Sequence, residues 1–319
     1  MTKPQNIIAK ISQNVKKKNW VCLVDGCEDI AINSHLIQQN GILNNITENG
    51  HLIELKMMDA FKWNSKDAPI VFRQIGVKQA LSHKVFCNTH DTNIFQPIEQ
   101  TNTDFESYLA FLLFSYRAVC AEICKKNVNI EFHTRMFNAQ SLIGQINKDT
   151  IEQIINGNKL GVKDLQALKE YLEAEIETQK DTYTHYVYKY PKMDVYASAV
   201  FSATDITYPR EDGAMDLKNI YIHILPLSDE TLILTGFHNE HTSDEMIDFC
   251  KSWEGLETLD LEKKLTTLFA TNIENWGLSP SLFDTLSEKN KTDYIKKLME
   301  NVNDFGIFKT SDFNLFEQK

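Results

Sequence analysis

The sequence predicts an α+β protein, and three observations carry that expectation. Residues 20–95 hold two close pairs of metal-type side chains, Cys22 with Cys27 and Cys87 with His90. Residues 104–126 set Phe105, Tyr108, Leu109, Leu112, Tyr116, Val119, Cys120 and Ile123 on one helical face. From Thr182 onward, tyrosine and β-branched residues recur in runs of strand length. The expected organisation is a metal-stapled N-terminal module over 1–100, a helical segment over 101–182, and a domain of antiparallel sheet with helices over 183–319.

Bulk properties narrow the class. A chain of 319 residues buries a sizeable core, and 42% hydrophobic with 24% charged residues is ordinary for a globular protein. No apolar run approaches the roughly 20 residues of a membrane span. Residues 1–18 are polar and lack the apolar core of a secretory signal, so the expected location is cytoplasmic and no membrane partner is expected. Cysteines in that compartment are reduced or metal-bound rather than paired. The net charge of −11 opposes nonspecific nucleic-acid binding, which relies on Lys and Arg to neutralise phosphate. Lys16, Lys17 and Lys18 form the one clear basic run, read either as a solvated helix end or as a local phosphate contact.

Taken in order, residues 5–18 space Ile7, Ile8, Ile11 and Val15 as an amphipathic helix. Residues 20–24 form a brief strand before the Asp25-Gly26 turn, which sets Cys22 and Cys27 on either side of a knuckle. Residues 31–43 read as helix or turn ending at Asn40-Gly41. Residues 51–57 read as a strand opened by Asn49-Gly50, residues 61–69 as a loop and residues 70–75 as a strand. The helix over 104–126 has Thr103 and Asp104 at its start as cap and first-turn acid. Two further helices are expected over 148–156 and 162–180. Strands follow at 183–190, 195–206, 220–225 and 231–236, the last two joined by the short loop 227–230. Helices over 243–253, 260–272 and 290–301 complete the pattern, with a bend and short helix near Ser279-Pro280.

Tetrahedral Zn²⁺ takes four S or N ligands, usually as two close pairs from separate chain segments. Cys22-x4-Cys27 and Cys87-x2-His90 supply three thiolates and one imidazole, so they are the expected ligands of a structural zinc ion. Against this stands burial of Cys22 and Cys87 as small hydrophobes. Cys120, Cys124 and Cys250 sit in apolar helical patterns and are expected to be buried and unligated. His238-x2-His241, with Glu240 or Asp244, is a weaker metal candidate, and its first reading is a solvent-exposed loop after a strand. No P-loop, Gly-x-Gly-x-x-Gly or Gly-x-Ser-x-Gly stretch is present, which argues against common nucleotide-binding and hydrolase classes.

A cysteine pair on a turn, a histidine shortly after it and a second ligand pair opening a helix resemble a treble-clef zinc finger. The order is similar to that of the HNH, or His-Me finger, endonucleases, over residues 20–96 only. The resemblance implies His35 as general base, Asn49 as the middle motif residue, and Asp91 or Asn93 as a ligand of a catalytic Mg²⁺ or Mn²⁺ distinct from the zinc. Ser34 stands where that family usually carries an acid before the histidine. One implied function is a metal-dependent nuclease acting on nucleic acid in defence against phage or foreign DNA. The alternative is a noncatalytic, zinc-stabilised module that binds a protein or small ligand. A third reading is a different enzyme with its site near His223, His238 and His241.

Overall fold

The computed structural model describes residues 4–58, 69–100, 102–203, 215–301 and 311–317. Helix α1 (Pro4–Lys16) leads to the short strand β1 (Asn33–His35). Strands β2 (His51–Met57) and β3 (Ile70–Gly76) form a hairpin, and β4 (Ser82–Lys84) returns to pair with β1. Helices α2 (Asn88–Glu99), α3 (Tyr108–Asn138) and α4 (Lys148–Thr178) fill the middle of the chain. Then come β5 (Tyr183–Pro191), β6 (Val195–Ser202), β7 (Asn219–Pro226) and β8 (Glu230–His238). The chain continues through α5 (Asp244–Lys251), α6 (Thr258–Thr271), β9 (Trp276–Leu278), α7 (Pro280–Thr285) and α8 (Glu288–Asn301). The expected mixture of helices with antiparallel sheet is therefore present, with the helical middle and the C-terminal strands where the sequence put them. Among the described residues, no helix is long and apolar enough to cross a membrane.

The larger sheet has seven antiparallel strands in the order β3-β2-β9-β6-β7-β8-β5. Both faces are covered, which is why its central strands read as continuous apolar runs instead of a strict alternation. In β6, Val195, Ala197, Ala199 and Phe201 face a core shared with α5, α6 and α8, while Tyr196 and Val200 face the core built on α3 and α4. Strand β9 is only Trp-Gly-Leu, too short for periodicity to reveal, yet it pairs with β2 on one side and β6 on the other. It thereby ties a hairpin from the first hundred residues into the sheet of the C-terminal third. Trp276 stacks on Phe269 with ring centres 4.3 Å apart, and Gly277 leaves room for Tyr196, whose hydroxyl and ring a Cβ would strike.

Helix α3 runs through the middle of the molecule, against α4, β6, β7, α1, α2 and β4. Every residue from Ala110 to Ala121 is buried, so the single apolar face expected from the sequence is in fact apolar all round. Its start also differs. Ser107 is the N-cap, accepting from Ala110 N at 3.3 Å, whereas Asp104 caps the preceding turn through Glu106 N. The helix outlasts its expected end at 126 because its last turns lie along α4, where Asn129 donates to Asn158 at 3.4 Å. Helix α4 is one continuous helix, not two: Gly157 and Gly161 fall inside it, and Gly161 lies directly beneath the Lys126 side chain. Residues 31–43 are likewise corrected. They hold β1, whose partner β4 lies nearly fifty positions on, followed by a 3₁₀ turn over Leu43–Asn45. Residues 61–68 of the expected loop over 61–69 and the last residues of the expected strand 195–206 lie outside the described residues.

A buried polar contact joins α3 to the sheet. His223 on β7 is fully enclosed, with Ser115 Oγ 3.1 Å from Nε2 and Ser198 Oγ 3.0 Å from Nδ1. Burial holds its pKa down to about 3, so the ring is neutral in the folded protein. The unfolded chain takes up this proton near pH 6.5 and the folded chain only near pH 3, so stability falls as pH drops through that window. We expect His223→Gln to flatten the acid limb of a urea-denaturation series between pH 6 and 4 by up to about 1.4 kcal/mol per pH unit. A second test concerns β9: Gly277→Ala is expected to destabilise the protein by about 1–3 kcal/mol through overpacking, read from the same denaturation midpoints.

Candidate metal centre

The first pair of sulfurs is presented by a hairpin. Val21 bridges to Ile30, Cys22 N donates to Asp29 O at 2.9 Å, and Ala31 N donates to Trp20 O at 2.8 Å. At the tip, Cys27 N bonds Val24 O at 3.1 Å and Gly26 takes φ +76°, a left-handed conformation that a side chain disfavours. This loop is pinned to the chain just before α2 by Leu23 N to Val85 O at 3.0 Å and Ile32 N to Phe86 O at 2.8 Å. Cys87 is the extended N-cap of α2, and His90 sits in its first turn. Two segments some sixty residues apart in sequence thus deliver their side chains to one place. The β1–β4 ladder, which runs Asn33 against Lys84 and His35 against Ser82, is the frame that aligns them.

The four ligand atoms of Cys22, Cys27, Cys87 and His90 all lie within 4.8 Å of one another. His90 Nδ1 is 3.4 Å from Cys22 Sγ and 3.2 Å from Cys87 Sγ, and the sulfurs of Cys27 and Cys87 are 3.9 Å apart. Tetrahedral bonds of about 2.3 Å to sulfur and 2.0 Å to nitrogen separate ligand atoms by roughly 3.5–3.8 Å. The cluster therefore has the size of a tetrahedral metal site, with soft donors that suit zinc. At Cys27 the backbone N–H of Asp29 favours the thiolate, but burial and the neighbouring thiols of Cys22 and Cys87 outweigh it and push the pKa up to about 11. Thiols packed this closely repel one another on ionising, and a divalent cation at their centre removes that opposition.

A cleft of about 420 Å³ opens beside the hairpin, lined by residues 22–27 with Ile123, Gln166, Lys169 and Glu170. The nearly buried Lys169 ammonium bonds Glu173 at 2.9 Å and stands 3.5 Å from Asp25 at the hairpin tip. Cys27, in the wall of this cleft, is half-buried.

The residues singled out by the family resemblance are divided by the structure. His35 and Asp91 do share a neighbourhood beneath α2, where each feels the charge of the other and of Arg117. Burial lowers the pKa of His35, with Arg117 acting in the same direction. Burial raises that of Asp91, against the opposing pull of Arg117. Among the described residues, His35 Nε2 and Asp91 Oδ1 are buried without a hydrogen-bond partner. Ser34, also buried, bonds Phe86 N through its hydroxyl at 3.3 Å. Asn49 is exposed at the tip of the β2 turn, with φ +49° before Gly50 at +75°, a geometry that explains this Asn-Gly pair by itself. Asn93 is exposed on α2.

Other candidates take structural places. Cys120, Cys124 and Cys250 are buried outside the cluster, and burial pushes the Cys124 and Cys250 thiols up to about 11 and 12. His238 and His241 stack at 4.9 Å beside Tyr171, and His238 Nδ1 accepts from Glu240 N, but among the described residues no third ligand joins them. Lys18 is engaged by Glu131 at 2.7 Å and lies over the Trp20 ring, leaving Lys16 and Lys17 as the exposed part of the basic run. Arg117, lying beyond the reach of the family motif, was not anticipated. The available signal was a lone arginine within an otherwise apolar helical stretch.

No protein-family model, curated protein or solved structure matches the chain, so the metal centre rests on its own geometry. Elemental analysis of purified protein is expected to find one equivalent of bound metal, lost in Cys22→Ser and Cys87→Ser but kept in Cys250→Ser. Stripping the ion with a strong chelator should lower the thermal midpoint, since an ion at 1,000 times its dissociation constant adds about 4 kcal/mol.

Proposed function

We propose that the protein is a zinc-stabilised binding protein, with a treble-clef-like unit made of the 20–31 hairpin, the β1–β4 ladder and the start of α2. The observation that carries this reading is the set of ligand-atom separations among Cys22, Cys27, Cys87 and His90, which match a tetrahedral S₃N site. All four positions are filled by protein, as in structural rather than catalytic zinc sites. The ion supplies a crosslink between segments that the chain would otherwise hold only by short pairings. In this reading the His35 region is a degenerate HNH-like site. A hard divalent cation does not fit there: Asp91 already faces the Arg117 guanidinium, Ser34 replaces the expected acid, and no second metal-binding group occurs among the described residues.

One observation favours the nuclease reading. Two short antiparallel strands followed by a helix bring His35 and Asp91 within each other's field, the order an HNH-like endonuclease acting in defence against foreign nucleic acid would use. Incubation of wild type and His35→Ala with plasmid and with RNA, each with Mg²⁺ or Mn²⁺, separates the two. The binding reading expects no cleavage above background from either protein, with equal zinc contents. Metal-dependent cleavage by wild type that His35→Ala abolishes would replace it with the nuclease.

A further inference from the structure

The helix that supplies Cys87 and His90 is gripped from outside by one residue. Arg117 of α3 is only 2% exposed and sits against α2. Its Nη2 pairs with Glu99 Oε1 at 2.5 Å and stands 3.8 Å from Asp91 Oδ1, while its guanidinium carbon lies 3.9 Å over the centre of the Phe95 ring. Asp91, Phe95 and Glu99 are spaced i, i+4, i+8, so a single planar cation spans two turns of one face of α2. Asp91 directly follows His90, and its backbone N–H bonds Cys87 O at 2.9 Å. Contacts along two turns restrict both the rotation of α2 about its axis and its slide along α3. Those two freedoms decide where Cys87 Sγ and His90 Nδ1 meet Cys22 and Cys27.

Packing alone does not call for an arginine here. Nε and Nη1 have no hydrogen-bond partner among the described residues, and a buried, incompletely paired guanidinium is a costly way to fill space between Tyr116 and Ala118. An unbranched apolar side chain would fill the same volume without desolvating a charge. The feature specific to Arg117 is simultaneous engagement of two carboxylates and a ring face on the ligand-bearing helix.

We propose that Arg117 is a positioning residue for the metal centre, holding α2 so that Cys87 and His90 complete the tetrahedron. This rests on the zinc reading above. Zinc affinity is measured by competition with a chromophoric chelator, and site geometry by the absorption bands of the Co²⁺-substituted protein, in wild type, R117M, R117K and E99Q. R117M is expected to bind zinc 10–100-fold more weakly with altered cobalt bands, the range typical of lost support around metal ligands, and R117K to recover part of the loss. Cys250→Ser, which disturbs the separate core on the other face of the sheet, is expected to keep wild-type zinc affinity, separating positioning from general destabilisation. Folded R117M with wild-type affinity and unchanged cobalt bands overturns the proposal. If R117M does not fold, E99Q decides: several-fold weaker binding supports the clamp and unchanged binding overturns it. Wild-type protein that takes up no zinc sinks the metal reading itself, whereas wild-type uptake with unaffected variants sinks the clamp alone.

Discussion

Helix α3 is the constraint on which the rest of the structure depends, because three successive residues in its buried stretch bind three different parts of the molecule. Ser115 reaches the sheet through His223, Tyr116 donates to Glu173 of α4 at 2.7 Å, and Arg117 holds α2 through Glu99. Successive helical positions turn by about 100°, so three neighbours sweep more than half the circumference. A helix that is apolar all round can serve as a common wall for layers on every side, and each polar exception on it then needs a partner of its own. Here each exception meets a different layer, and this fixes the layers relative to one another more sharply than apolar packing does.

The metal cluster adds a local constraint to that global one. Its hairpin, its two-stranded ladder and its helix are each too small to bury a core alone, and the ladder is only three residues per strand. An ion held by its three sulfurs and one nitrogen would give such a unit a fixed centre. Its outer face then rests on α3 and α4 through Ile123, Lys169 and Arg117, so the small unit and the large core share a boundary instead of a linker. The β2–β3 hairpin, inserted between β1 and β4, leaves the unit and extends the seven-stranded sheet through β9.

Legibility followed sequence distance. The four ligands were visible because each pair is close in the chain and chemically distinctive. Strands β5 to β8 were visible because their apolar runs are long and bounded by turns. The start of α3 was misplaced because both Thr103-Asp104 and Ser107 are plausible caps, and only the hydrogen bond from Ala110 N separates them. The division of α4 into two helices rests on local pattern alone, whereas one helix lying along α3 runs through both Gly157 and Gly161. Strand β1 carries no signal of its own, because a three-residue strand has no periodicity and its partner β4 is distant in sequence. His35, Asn49 and Asp91 were grouped by motif order. The fold unites the first and last in one buried neighbourhood and leaves Asn49 on an exposed turn.

By itself, the sequence determined the α+β mixture, the chemistry of the donor set and the helical character of the middle of the chain, all properties of residue type and local spacing. Only the tertiary structure decided that β9 joins the hairpin of the first hundred residues to the C-terminal strands, and that Arg117 faces Asp91 and Glu99. The same holds for His35, which the fold sets in the field of both Asp91 and Arg117. Each of these depends on contacts between residues far apart in the chain. Such contacts are selected by which buried charges and surfaces find partners once the chain has collapsed, and no local pattern encodes them.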